Sequence, residues 1–282
     1  MRIVVTGSQG FIGNRLVPVL INNGYEVTKL DLETGYDITN WDCIKGIKDF
    51  DLVIHLAAVS YVPKSYEIPR EMFKVNMEGT LNMLELCRIN NAKFIFTSSY
   101  VYGKPKYLPI DETHPTKAFN PYCQSKLIGE DLCRCYNKEF GVPVIIFRPF
   151  NIYGPGQNED FLIPMIQKQI ENYAIVKLMD SRPKRDFIHV DDIISAYCKA
   201  VTYDKISFEI FNLGSGISYS VKEIAEILVS QSEKEVPIEF SEERRHNEVL
   251  DTVANINKAK KELNWNPYNS IKEKAKLLNQ DL

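Results

Sequence analysis

The sequence predicts an α/β fold: a doubly wound parallel sheet with a smaller, interleaved C-terminal lobe. Three observations point there. Short apolar runs alternate with helix-patterned stretches up to about residue 150, the order of strands and covering helices in a parallel sheet. The first run breaks into evenly spaced glycines and passes directly into helical periodicity. The final third mixes shorter elements with Pro164, Pro183, Pro237 and Pro267, without internal repeat or low-complexity linker.

Arg2-Ile3-Val4-Val5-Thr6 reads as a buried parallel strand. It runs into Gly7-Ser8-Gln9-Gly10-Phe11-Ile12-Gly13, and a helix is expected from Asn14 to about Asn23. Gly7, Gly10 and Gly13 permit a tight turn, close approach to a pyrophosphate and helix-on-strand packing, with Gln9, Phe11 and Ile12 between them; the helix start offers free N–H groups to the anion. This is the order of a dinucleotide site. The next strand, Glu26 to Leu30, ends at Asp31, 18 residues after Gly13, where a carboxylate accepts from an adenosine ribose diol and repels a 2′-phosphate. The pattern therefore selects NAD over NADP. Asp37-Ile38 either reaches the adenine amino group or caps the turn into Thr39-Asn40.

Further strands are expected near 51–56, 93–97 and 143–148, and the longest helices near 71–90 and 121–139. Phe94-Ile95-Phe96-Thr97-Ser98-Ser99 is a strand running out into hydroxyls, at the strand end where open α/β sheets place their ligands. On the second long helix, Tyr122 and Lys126 are four residues apart, which puts both side chains on one face. A phenol near its usual pKa of about 10 is a poor base at neutral pH. The Lys126 ammonium and an oxidised nicotinamide are expected to lower it, making Tyr122 an acid/base group for hydride chemistry. The stripe Phe73, Met77, Leu81, Leu84 is core or dimer interface.

Thr6-Gly7-x-x-Gly10-Phe11-Ile12-Gly13, His55-Leu56-Ala57-Ala58, Asn76 in Val75-Asn76-Met77-Glu78-Gly79-Thr80, Ser98-Ser99 before Val101-Tyr102-Gly103, and Tyr122-x-x-x-Lys126 together resemble the extended short-chain dehydrogenase/reductase family. The likeness is to its NAD-dependent nucleotide-sugar epimerase and dehydratase group, which is UDP-glucose 4-epimerase-like. It continues through Arg148-Pro149-Phe150-Asn151-Ile152-Tyr153-Gly154-Pro155, Arg185-Asp186-Phe187-Ile188-His189-Val190-Asp191-Asp192, Phe211-Asn212-Leu213-Gly214-Ser215-Gly216 and Leu263-Asn264-Trp265-Asn266-Pro267, nearly end to end.

The resemblance implies a Rossmann domain for NAD from 1–153 and 187–214, with 154–186 and 215–282 as the nucleotide-sugar lobe; the strand Glu209–Leu213 returns to the cofactor sheet. Leu56, Ala57, Ala58 and Asn76 join the cofactor contacts. A hydroxyl bonds the reacting sugar oxygen: counting back from Val101-Tyr102-Gly103 selects Ser98, the first choice, and counting forward from the strand selects Ser99. Relatives that remove water carry acid after that hydroxyl; Ser99-Tyr100 stands here, which disfavours dehydration. Asn151 contacts the sugar or its phosphate, Glu248 a ribose, and Arg185 and Arg245 clamp the diphosphate. Arg244 beside Arg245 leaves that register open by one. Pairing of the two long helices with their copies implies a homodimer.

A chain of 282 residues, 44% hydrophobic, can bury a substantial core, and its net charge of −3 argues against nucleic-acid and membrane partners. Cys43, Cys87, Cys123, Cys133, Cys135 and Cys198 have neither paired spacing nor recurring His partners, so no metal site or disulfide framework is expected. His55, His114, His189 and His246 form no triad, and His189 packs within its own motif. The strand at the very start leaves no room for a signal peptide, and no apolar run reaches the roughly 20 residues a membrane helix needs; a cytoplasmic enzyme is expected. The leading expectation is net inversion at C4 of a nucleotide-linked sugar. The alternatives are an NAD(P)H-dependent 4-keto nucleotide-sugar reductase and a non-catalytic NAD-binding regulatory protein.

Overall fold

The computed structural model describes residues 1–205, 207–232, 234–241, 243–244 and 248–274. Its strands are β1 (Arg2–Thr6), β2 (Glu26–Leu30), β3 (Leu52–His55), β4 (Lys93–Thr97), β5 (Val144–Pro149), β6 (Asn151–Tyr153), β7 (Val176–Leu178), β8 (Lys184–His189), β9 (Phe208–Leu213), β10 (Ser218–Ser220), β11 (Ile238–Phe240) and β12 (Asp251–Thr252). The main sheet runs β2-β1-β3-β4-β5-β9, parallel throughout. The order reverses between β1 and β3, and ligand crevices form outside the carboxyl ends of strands at such a reversal.

Alternation along the strands feeds two cores. Ile3 and Val5 pack on one face with Leu16 and Tyr197, from helices Gly13–Asn22 and Val190–Val201. Val4 packs on the other with Leu84 and Cys133, from helices Gly79–Asn90 and Pro121–Phe140. Burial on both faces is why the central strands β1, β3 and β4 are apolar without a polar alternate, whereas the edge strand β2 carries exposed Glu26, Thr28 and Lys29. β9 rejoins the sheet beside β5, as expected for the strand at Glu209–Leu213.

The lobe uses shorter strands: β8 pairs with β10, β12 and β6, while β7 pairs with β11. Its own core gathers Tyr153, Ile163, Val176, Phe187, Ile224 and Leu228. The helix expected near 71–90 instead runs from Pro69, at a first-turn position suited to proline, through a π-helical turn at Lys74–Glu78, before continuing to Asn90. That extra residue per turn turns Asn76 inward, a register periodicity alone does not reveal.

Candidate active site

A cleft of about 970 Å³ opens along the carboxyl ends of the strands. Gly7, Gln9, Gly10, Phe11, Ile12 and Gly13 form one end with Asp31, Asp37 and Ile38; Leu56, Ala57 and Ala58 line the wall. Ser98, Ser99, Tyr122 and Lys126 lie at its centre, and Asn151, Arg185 and Glu248 at the lobe end. The structure thus brings nearly all the expected residues to one cavity. Arg245 and His246 lie outside the described residues.

The glycine turn is held by contacts between main chains. A Cβ on Gly13 would lie 2.1 Å from the Gly7 carbonyl oxygen, and one on Gly7, whose φ is +65°, would lie 2.8 Å from the Ala57 amide nitrogen. Only glycine fits. Ile12 caps the following helix without a side-chain acceptor, the Asn14 and Arg15 amides donate to the Gly10 and Ile12 carbonyls, and the stretch Phe11–Gly13 at the helix start lines the cleft where an anion would sit. Asp31 accepts from the Gln9 amide at 2.9 Å and the Glu33 amide at 3.2 Å; it caps a short turn and still faces the cleft. Asp37 accepts from the amide and hydroxyl of Thr39 through one oxygen, both at 2.8 Å, so the capping role is realised. This close-packed cradle with an acidic end fits a dinucleotide.

The wall is braced from behind. Thr6 Oγ1 accepts from the Leu56 and Ala57 amides at 3.2 and 3.1 Å and meets His55 Nδ1 at 2.8 Å. His55 Nε2 lies 3.1 Å from Thr80 Oγ1, whose proton goes to the Asn76 carbonyl at 2.7 Å. One proton arrangement satisfies this chain: Thr6 donates to Nδ1, and Nε2–H donates to Thr80. Burial, reinforced by the charge on Lys126, lowers the His55 pKa to about 3. Asn76, expected as a cofactor contact, makes its side-chain hydrogen bonds within the protein. Its amide accepts from Val59 N at 2.9 Å and donates to Val59 O at 3.1 Å and Ser125 Oγ at 2.9 Å, so it shapes the wall without lining the cleft.

Lys126 is 4% exposed; its Nζ donates to the Thr97 carbonyl at 2.8 Å and lies 6.0 Å from the Tyr122 ring centroid. Burial lowers its pKa to about 8. The Tyr122 phenol is pushed up to about 12, because burial outweighs the adjacent Ser99 hydroxyl, which pulls it down. The phenol thus shifts in the direction opposite to the one expected from Lys126. Ser98, the first choice for the reacting oxygen, donates instead to the buried Glu130 carboxylate at 2.6 Å, and Ser99 is the hydroxyl beside Tyr122.

At the lobe end, Arg185 pairs with Glu248 and donates to the Val249 carbonyl at 2.6 Å. Two residues assigned separate contacts on the basis of resemblance are partners here. Asn151 donates to the Asp186 carbonyl at 3.3 Å. Among the described residues no cluster of His, Cys, Asp or Glu could hold a metal, the cysteines are free, and no helix is long and apolar enough to cross a membrane. Sequence reasoning missed the Glu130–Arg148 ion pair at 2.6 Å. Its signal was an arginine inside an otherwise apolar strand, since a buried charge requires a partner.

The model of the NAD dependent epimerase/dehydratase family matches residues 3–214. A putative UDP-glucose 4-epimerase of Methanocaldococcus jannaschii is 36% identical, covering 97% of this chain and 96% of that protein. A GDP-6-deoxy-D-mannose reductase of Pseudomonas aeruginosa is 32% identical, covering 84% of this chain and 82% of the reductase. Among solved structures, UDP-glucose 4-epimerase from Thermotoga maritima, crystallised with UDP-glucose, superposes with a TM-score of 0.91 at 28% identity, covering 100% of this chain and 98% of that one. The family model covers more than half of the chain and the Methanocaldococcus jannaschii relative matches it nearly end to end, so the chain belongs to the NAD dependent epimerase/dehydratase family.

Proposed function

We propose that this chain is an NAD-dependent nucleotide-sugar epimerase that inverts C4 by transient oxidation. The observation that carries the reading is the meeting of Ser99, Tyr122 and Lys126 at the end of β4, midway along a cleft with Asp31 at one end and Arg185 at the other. Residues 1–153 and 187–214 are assigned to the cofactor and 154–186 and 215–282 to the nucleotide sugar, with Asp31 on the ribose diol, Asp37 and Ile38 around the adenine, and Arg185, Asn151 and Glu248 on the substrate.

When bound, NAD supplies the redox partner for C4 and a second positive charge beside the phenol. Tyr122 takes the C4 hydroxyl proton, and Ser99 bonds that oxygen. Below its pKa of about 8, Lys126 is charged and favours the phenolate. Burial raises the phenol pKa, and the positive charges of Lys126 and of bound NAD would act against that rise. After the 4-keto sugar turns, Tyr122 returns the proton on the other face. The unpaired cysteines suit a reducing cytoplasm. Leu81 and Ile89 stand 39% and 52% exposed on the helix that a homodimer would pair, while Leu84 is core.

The purified protein is expected to carry NAD and to interconvert two C4-epimeric nucleotide sugars without added cofactor. The similarity to a reductase keeps a second reading, one-way reduction of a 4-keto nucleotide sugar. Protein that arrives empty and consumes NADH stoichiometrically with the 4-keto sugar would establish it.

A further inference from the structure

Three successive residues at the end of β4 are tied to one face of helix Pro121–Phe140, at positions i, i+4 and i+8. Ser99 lies beside Tyr122, the Thr97 carbonyl accepts from Lys126, and the Ser98 hydroxyl donates to Glu130 Oε1 at 2.6 Å. The first two ties involve the groups assigned to proton transfer. The third involves a residue that does not line the cleft.

Glu130 is 2% exposed and Arg148 4%. Arg148, on β5, grips the carboxylate twice, from Nε to Oε1 at 2.9 Å and from Nη2 to Oε2 at 2.6 Å. Its Nη1 donates to Tyr102 Oη at 3.1 Å, which in turn donates to Asn212 Oδ1 on β9 at 2.6 Å. A buried ion pair is a poor way to hold a helix on a sheet, because apolar residues of similar volume often stabilise as well or better. What apolar residues cannot do is accept a hydroxyl proton at a fixed point. Ser99 lies two residues beyond Thr97, the last paired residue of β4. Its neighbour Ser98 is fixed on both sides, by its amide to the Phe147 carbonyl at 2.8 Å and by its hydroxyl to Glu130.

We propose that Glu130 is a positioning residue: anchored by Arg148, it takes the Ser98 hydroxyl and so sets Ser99 and the Thr97 carbonyl in register with Tyr122 and Lys126. This rests on the assignment of Ser99, Tyr122 and Lys126 to proton transfer. Glu130 also faces Lys126 one turn away, together with Cys133 on the same helix, Tyr122, and His55 from β3; removing the carboxylate charge therefore disfavours the Lys126 ammonium.

The test is Ser98→Ala, which deletes the tie and leaves the Glu130–Arg148 pair whole. Steady-state epimerisation should show kcat lower by about tenfold to hundredfold, the scale of a small misplacement of reacting groups, with KM and NAD affinity within about twofold of wild type. In Glu130→Gln, whose amide oxygen still accepts from Ser98, kcat should fall less than in Ser98→Ala, and the alkaline limb of the pH–kcat profile should move to lower pH. A Ser98→Ala enzyme with wild-type kcat overturns the proposal, whatever its melting temperature; so does an unmoved alkaline limb in a folded Glu130→Gln. If the glutamine variant does not fold, Ser98→Ala decides alone. Absence of epimerisation by the wild type would instead sink the function on which the proposal rests.

Discussion

At the glycine turn, main chain is packed on main chain: a Cβ on Gly13 would meet the Gly7 oxygen at 2.1 Å, and hydroxyls of Thr6 and Thr80 bracket a buried His55 behind the wall. Across the cleft, the lobe presents side chains on strands of two to six residues, and its principal cation, Arg185, is held by the carboxylate of Glu248. The cofactor end is preformed and intolerant of substitution; the substrate end is set by exchangeable pairs. A catalytic centre mounted on the rigid half can therefore serve different sugars through changes confined to the lobe, the usual separation of scaffold from specificity.

That division can be broken at several points. The largest expected effect is at the junction: Tyr122→Phe should lower turnover at least about a hundredfold, the scale of positioned proton transfer, with NAD affinity nearly unchanged by calorimetry. Normal turnover in this variant would remove Tyr122 from the mechanism. On the lobe side, Arg185→Ala should raise KM about tenfold or more through loss of a charged phosphate contact. Its NAD affinity should hold; a matching loss of NAD would mean that the halves are not independent.

Asp31 sharpens the comparison from the cofactor side. Its carboxylate should make NAD(H) bind at least about tenfold more tightly than NADP(H), since like charges brought together cost several kcal/mol. Equal affinities would take Asp31 off the ribose. The last effect is on stability and is confined to acid pH. His55 titrates at about 3 in the folded chain against 6.5 unfolded, so the unfolded chain takes up the proton first and stability is lost as pH falls through that interval. Urea denaturation should show a contribution of about 1.4 kcal/mol per pH unit, and His55→Gln should flatten the slope.

The sequence made the rigid half legible because its constraints are local. β1, the glycine spacing, Asp31 and the Tyr122–Lys126 pair each follow from residues within one turn or one helix face. Where distant segments decide the contact, reading along the chain falls short. Asn76 turns inward because of a π-helical turn, and Ser98 is drawn to Glu130, 32 residues on. Arg185 and Glu248, 63 residues apart, meet through the parallel pairing of β8 and β12. The phenol differs from expectation for a similar reason: burial, which no spacing reveals, raises its pKa and outweighs the Ser99 hydroxyl beside it.

The claim that one cleft oxidises C4 and restores it with inverted configuration is tested most directly by labelling that carbon. A nucleotide sugar carrying deuterium at C4, incubated with the purified protein in ordinary water and without added cofactor, should yield its C4 epimer with the deuterium still at C4. A product that has exchanged its label for solvent hydrogen, or no epimer until NADH and a 4-keto sugar are supplied, would contradict the account.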